Sequence, residues 1–135
     1  MHGRREFAMK VYFDGGCQPN PGKMEIAVVA RGESYFLDDI GDGTNGDAEW
    51  LALIHAVRIA QQLAVRDIIL LGDSVTVINQ AKGIAKCRGA ALQRHFEKFR
   101  SLTADMAGLR VRKIGRHQNL AGIALARRHL ASRQQ

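Results

Sequence analysis

The chain has 135 residues, 46% of them apolar, which is enough for one domain with its own core and too little for a second. No run approaches the ~20 apolar residues of a membrane span, and the opening MHGRREFAM lacks the apolar stretch of a secretory signal. Residues 1–8 are therefore expected to be an N-terminal tail and 9–135 a single domain. Cys17 and Cys87 are too few for a disulfide scaffold and lack metal-site spacing, which suits reduced thiols in the cytoplasm. The net charge is +7 and unevenly spread: eleven of the thirteen acids lie at or before Asp73, and thirteen of the twenty Lys and Arg lie from Lys82 onward. A basic second half suits a polyanion, because neutralising phosphates releases counterions, and equally suits a merely soluble surface.

The elements follow in chain order. Met9 to Asp14 (MKVYFD) is apolar and β-prone and meets Gly15-Gly16, so it predicts a buried strand ending in a turn. Met24 to Arg31 and Ser34 to Ile40 predict two more strands, joined by tight connections into an antiparallel meander. From Ala48 to Leu63 the period changes, and Trp50, Leu51, Ile54, Val57, Ile59 and Leu63 form one broad helical face. Asp67 to Gly72 (DIILLG) is a continuous apolar run, as expected of a strand covered on both faces. A short helix from Val75, a helix over Ala90 to Ala107, a strand over Leu109 to Ile114 and a helix over Leu120 to Ser132 complete the chain, with Asn119 as the last N-cap. The expected fold is α/β. It is a five-stranded mixed sheet, three strands in a meander and two added in parallel by crossovers, flanked by helices.

Three acids stand at loaded places. Asp14 ends the first strand, Glu49 opens the first long helix, and Asp73 ends the buried fourth strand. If the first and fourth strands are parallel neighbours, their ends lie about 5 Å apart and the two aspartates face each other, with Glu49 reaching across. Singly, each has an ordinary explanation: Asp14 as a turn former, Glu49 as an acid favoured by the helix dipole, Asp73 as an N-cap. Together at the carboxyl ends of adjacent strands they form a repelling cluster that a hard divalent cation would neutralise. Two such ions can activate water and stabilise the leaving oxygen of a phosphodiester.

The segments Val11-Tyr12-Phe13-Asp14-Gly15-Gly16 with Asn20-Pro21-Gly22, Thr44-Asn45 with Ala48-Glu49, Gly72-Asp73-Ser74 with Val77-Ile78-Asn79-Gln80, and Asn119 with Leu125-Ala126 resemble, in that order, the motifs of type 1 ribonucleases H. The resemblance implies a ribonuclease H-like fold and endonucleolytic hydrolysis of the RNA strand of RNA–DNA hybrids. It implies Asp14, Glu49 and Asp73 as catalytic metal ligands for Mg²⁺ or Mn²⁺; separately, a monomer is the default expectation, with no obligate protein partner evident and no membrane. It further implies that Cys17, Asn20, Thr44 and Asn45 contact the hybrid, including the 2′-hydroxyls that distinguish RNA from DNA. Lys82, Lys86 and Arg88 would serve as a reduced form of the basic protrusion some members carry.

The family's fourth acid falls at Ile123, so a second metal would be held more weakly. His117 does not keep the spacing of the family's loop histidine; it and His129 are expected to be solvated. Gly46 stands where an Asn often contacts nucleic acid. One alternative is a domain of the same fold that binds hybrid or duplex with turnover weakened or lost. Another is a different nuclease class on this fold, against which stands the absence of an Asp-x-Glu on the first strand. A calcium loop is the third: Asp38, Asp42, Gly43 and Glu49 fall at its positions 1, 5, 6 and 12, but Ile40 occupies position 3 and a strand pattern precedes it.

Overall fold

Alternation along the first segments produces the meander. In the computed structural model, which describes residues 8–133, β1 (Met9–Cys17), β2 (Gly22–Ala30) and β3 (Glu33–Leu37) pair antiparallel. Residues 1–7 of the expected tail lie outside the described residues. Then follow β4 (Asp42–Gly43), α1 (Asn45–Leu63), β5 (Ile68–Gly72), α2 (Val75–Ala81), α3 (Ala90–Thr103), β6 (Leu109–Lys113), a 3₁₀ turn (Arg116–Gln118) and α4 (Leu120–Arg133). The sheet order is β3-β2-β1-β5-β6, with β5 parallel to both β1 and β6. This is the mixed arrangement the sequence predicts, with one addition. After Asp39 (φ 58°) and Gly41 (φ 96°) turn the chain back, Asp42 and Gly43 pair with Lys23 and Gly22 as a sixth, two-residue strand.

Several boundaries differ from expectation, β2 starting at Gly22 and β3 ending at Leu37 among them, and three others have a plain physical reason. β1 does not stop at Gly15-Gly16: its pairing with β2 continues to Cys17 opposite Met24. Gly15 answers a close approach, since a Cβ there would lie 2.3 Å from the Ala48 carbonyl oxygen of α1. α1 starts at Asn45 because Thr44 and Asp47 close a capping box, in which the Asp47 N–H donates to Thr44 Oγ1 and the Thr44 N–H donates to Asp47 Oδ2, both at 3.1 Å. α3 stops at Thr103, whose hydroxyl bonds back to the Phe99 carbonyl at 2.8 Å, and a turn from Thr103 to Met106 leads toward β6.

The main core lies between one sheet face and α1, α2 and α3, and includes Val11, Phe13, Trp50, Leu53, Ile68, Leu70 and Phe99. Trp50 is fully buried, and its indole N–H donates to Gln80 Oε1 at 2.8 Å, so the ring's polar end is satisfied. On the other face α4 covers β1 and β2 with a smaller core of Ala27, Val29, Ala121 and Leu125. These two layers place the ends of β1 and β5, the first turns of α1 and the start of α4 around one groove. Among the described residues no helix is long and apolar enough to cross a membrane.

Candidate active site

Asp14, Glu49 and Asp73 meet. One carboxylate oxygen from each lies within 4.8 Å of the others, the only such group of His, Cys, Asp or Glu among the described residues. The ordinary explanations do not hold. Asp14 sits inside a continuing strand, the acid of the first turn of α1 is Asp47, and the N-cap of α2 is Ser74, which accepts from the Val77 N–H at 3.3 Å. The calcium-loop arrangement is absent too, since Glu49 joins Asp14 and Asp73 and the preceding segment is β3.

The backbone explains the convergence. β1 and β5 run in parallel register to Tyr12 opposite Leu71, so the next residues carry Asp14 and Asp73 forward side by side. α1 crosses Gly15 closely enough to lower Glu49 onto the pair. Gly122 lets α4 approach: a Cβ there would lie 3.1 Å from Asp14 Oδ2. Asn119, completely buried, ties the parts together. Its Nδ2 donates to Asp73 Oδ2 at 2.9 Å and to the Phe13 carbonyl at 3.0 Å, and its Oδ1 accepts from the Ala121 N–H at 3.1 Å. It is thus an N-cap of α4, as expected, and also the clamp on Asp73.

Electrostatics report the crowding. Burial, followed by the charge of Asp73, pushes the Asp14 carboxyl up to about 6, against the Gly15 N–H and Arg116. Burial, followed by the charge of Asp14, pushes Glu49 up to about 7, against Ser74 and Arg116. The groove, about 740 Å³, is lined by the three acids together with Asn45, Arg116, His117, Gly122 and Ile123. Ile123 therefore stands at the site, where the resemblance predicts an acid. His117, expected to be a solvated loop residue, is exposed but lines this groove.

The expected nucleic-acid residues separate into two groups. Cys17, Asn20 and Asn45 form one hydrogen-bonded rim, and Thr44, next to Asn45 in the chain, bonds to Asp47 instead. Asn45 Oδ1 accepts from the Cys17 N–H at 3.0 Å, and Asn20 Oδ1 accepts from the Asn45 N–H at 3.1 Å. The Thr44 hydroxyl donates to Asp47 Oδ2 at 3.1 Å, which His95 on α3 also contacts through Oδ1 at 3.0 Å. Lys82, Lys86 and Arg88 lie exposed on the loop from α2 to α3, and none lines the acidic groove. Sequence reasoning missed Arg116 as a neighbour of the acids. Its signal is its place just after the last strand, at the carboxyl edge where the other site residues lie.

A family profile described as reverse transcriptase-like matches residues 12–129. The ribonuclease HI of Halobacterium salinarum is 32% identical over 120 residues, which are 85% of this chain and 60% of that protein. The chain belongs to the reverse transcriptase-like family, among the type 1 ribonucleases H. The chain thus spans about three-fifths of the length of that curated relative. Within the family it is also similar to the crystal structure of ribonuclease H1 from the same archaeon, at 29% identity and a TM-score of 0.81 over 87% of this chain and 93% of that one. LC11-RNase H1, solved in complex with RNA/DNA hybrid, is 26% identical with a TM-score of 0.76, covering 82% of this chain and 88% of that one. An N-terminal RNase H domain from Mycobacterium tuberculosis, 22% identical with a TM-score of 0.78 over 93% and 98% of the two chains, shares the fold.

Proposed function

We propose that this chain hydrolyses the RNA strand of RNA–DNA hybrids endonucleolytically, as a single cytoplasmic domain over 9–135 acting as a monomer, with Asp14, Glu49 and Asp73 as its catalytic metal ligands. The observation that carries the proposal is the convergence of these three acids within 4.8 Å. The donor set fits the cofactor: oxygens only, crowded and costly to ionise together, suit Mg²⁺ or Mn²⁺ rather than a softer metal. When bound, divalent ions supply the positive charge that activates a water and stabilises the departing 3′ oxygen.

The chain's own groups do the rest. Asn119 holds Asp73 in one orientation through the 2.9 Å bond. Arg116 brings a fixed positive charge to the groove, placed for a phosphate. Cys17, Asn20, Thr44 and Asn45 present the hybrid-contacting rim; Asn45 is anchored by its backbone to Asn20, which fixes how the rim faces the ribose side of the substrate. Lys82, Lys86 and Arg88 offer phosphate contacts on a separate loop. The free thiols Cys17 and Cys87 suit a reducing compartment.

Ile123 in the groove favours a second assignment, a hybrid-binding domain whose turnover is weakened or lost. Cleavage of an end-labelled hybrid in Mg²⁺ and in Mn²⁺ separates the two. The nuclease assignment predicts RNA-strand cuts by the natural chain, stronger in Mn²⁺, that vanish in Asp73→Asn, and about tenfold tighter Mn²⁺ binding by Ile123→Asp. A natural chain inert in both metals but still binding hybrid would favour the second.

A further inference from the structure

Among the described residues, the sheet face that carries Asp14 is covered only in part. α4 packs on β1 and β2, and the adjoining part of the same face, across β1, β5 and β6, forms a groove of about 460 Å³. The composition of that groove follows from register. Val11 and Phe13 of β1, Ile68 and Leu70 of β5, and Leu109 and Val111 of β6 point into the main core. The alternate residues form two rows on the other face, Lys10–Ile69–Arg110 and Tyr12–Leu71–Arg112, and all of them but Arg110 line the groove. An apolar strip of Ile69 and Leu71 is thus flanked by cations on both sides. Lys113, Ile114 and Gln118 close one end, and among the described residues no acid lines the groove. Lys10, Arg112 and Lys113 are exposed, and Tyr12 is half-buried at the seam with α4.

We propose that this face is a platform for single-stranded nucleic acid continuous with the hybrid in the active site. Phosphates would lie on Lys10, Arg112 and Lys113, and bases on Tyr12, Ile69 and Leu71. Charge complementarity requires an anionic occupant, and a sheet face that combines cations with an aromatic surface suits unpaired bases. Continuity selects nucleic acid over an acidic protein. Ile114 donates its N–H to the Gly72 carbonyl beside Asp73 at 2.8 Å, and the turn at 116–118 joins this groove, through Gln118, to the one lined by Arg116 and His117. A strand leaving the acids would cross this turn to reach the platform. The platform presupposes the nuclease proposal, because the strand is delivered by a hybrid bound at Asp14, Glu49 and Asp73.

The test is fluorescence anisotropy with the intact chain in EDTA, which prevents cutting, comparing a blunt hybrid with the same hybrid carrying a tail of about six nucleotides. The tail is expected to tighten binding about tenfold and to steepen the salt dependence. Charge reversal by Lys10→Glu, Arg112→Glu and Lys113→Glu together removes that gain and leaves blunt-hybrid affinity within about twofold; these exposed positions lie outside the main core, and circular dichroism verifies the fold. Tyr12→Leu keeps the charge and lowers the gain about threefold. Equal affinity for blunt and tailed hybrid overturns the platform. So does a triple variant that weakens both substrates alike, or one whose only change is loss of self-association or of acidic-peptide binding. Failure of the blunt hybrid to bind at all counts instead against the nuclease proposal.

Discussion

Two carboxylates raised by burial and by neighbouring acids are a liability that a bound cation removes. With Asp14 up to about 6 and Glu49 up to about 7, the folded state holds protons that the unfolded chain has already released. Their contribution to stability is therefore greatest below pH ~4 and is lost as pH rises through about 6 to 7. Without metal, the melting temperature is expected to lose this contribution over that range, and Mn²⁺ should raise it strongly near pH 7.5 but weakly at pH 5; scanning fluorimetry at both values checks the sign. Asp14→Asn should raise metal-free stability, remove most of the Mn²⁺-dependent rise and lower cleavage at least about a hundredfold. Asn119 belongs to the same scale. Asn119→Leu leaves the Phe13 carbonyl and Asp73 without their donor, and should cost about 2 kcal/mol in urea unfolding together with most of the cleavage rate.

At the scale of elements, the site depends on how tightly α1 and α4 sit on β1. Gly15→Ala sets a methyl 2.3 Å from the Ala48 carbonyl oxygen, a backbone atom that moves only with α1. It should cost about 2–3 kcal/mol and weaken metal binding, because Glu49 rides on that helix; denaturation and Mn²⁺ titration report the two effects. The capping box acts similarly. Asp47→Ala releases the Thr44 N–H and hydroxyl and the contact from His95, and should cost about 1 kcal/mol while raising KM for hybrid more than it lowers kcat. The sequence made the order and type of the long elements plain, because β5 and α1 carry unambiguous apolar patterns. It did not reveal why Gly15 is a glycine. A Gly-Gly pair looks the same whether it makes a turn or admits a helix, and only the partner backbone distinguishes them. The start of α1 was legible in principle, since Thr44 and Asp47 hold capping-box spacing, yet the first apolar residue of the face drew the boundary to Ala48.

At the scale of the whole molecule, the three acids were readable because each breaks or borders an apolar run, although Asp14 lies within β1 and Glu49 in the second turn of α1, and parallel pairing of β1 with β5 then forces them together. Arg116, His117 and the clamp by Asn119 were less readable. They come from a short 3₁₀ turn and a cap whose direction is set by packing of α4 on β1 and β2, which no local pattern encodes. The uneven charge also found its place only in three dimensions, with Lys82, Lys86 and Arg88 on one loop and Lys10, Arg112 and Lys113 around a strip of sheet that no described element covers. The site's capacity to hold a cation is tested most directly by anomalous diffraction from crystals soaked in Mn²⁺. A peak bounded by Asp14, Glu49 and Asp73 is the predicted result, whereas well-ordered carboxylates with no peak between them, or manganese bound only elsewhere, would contradict it.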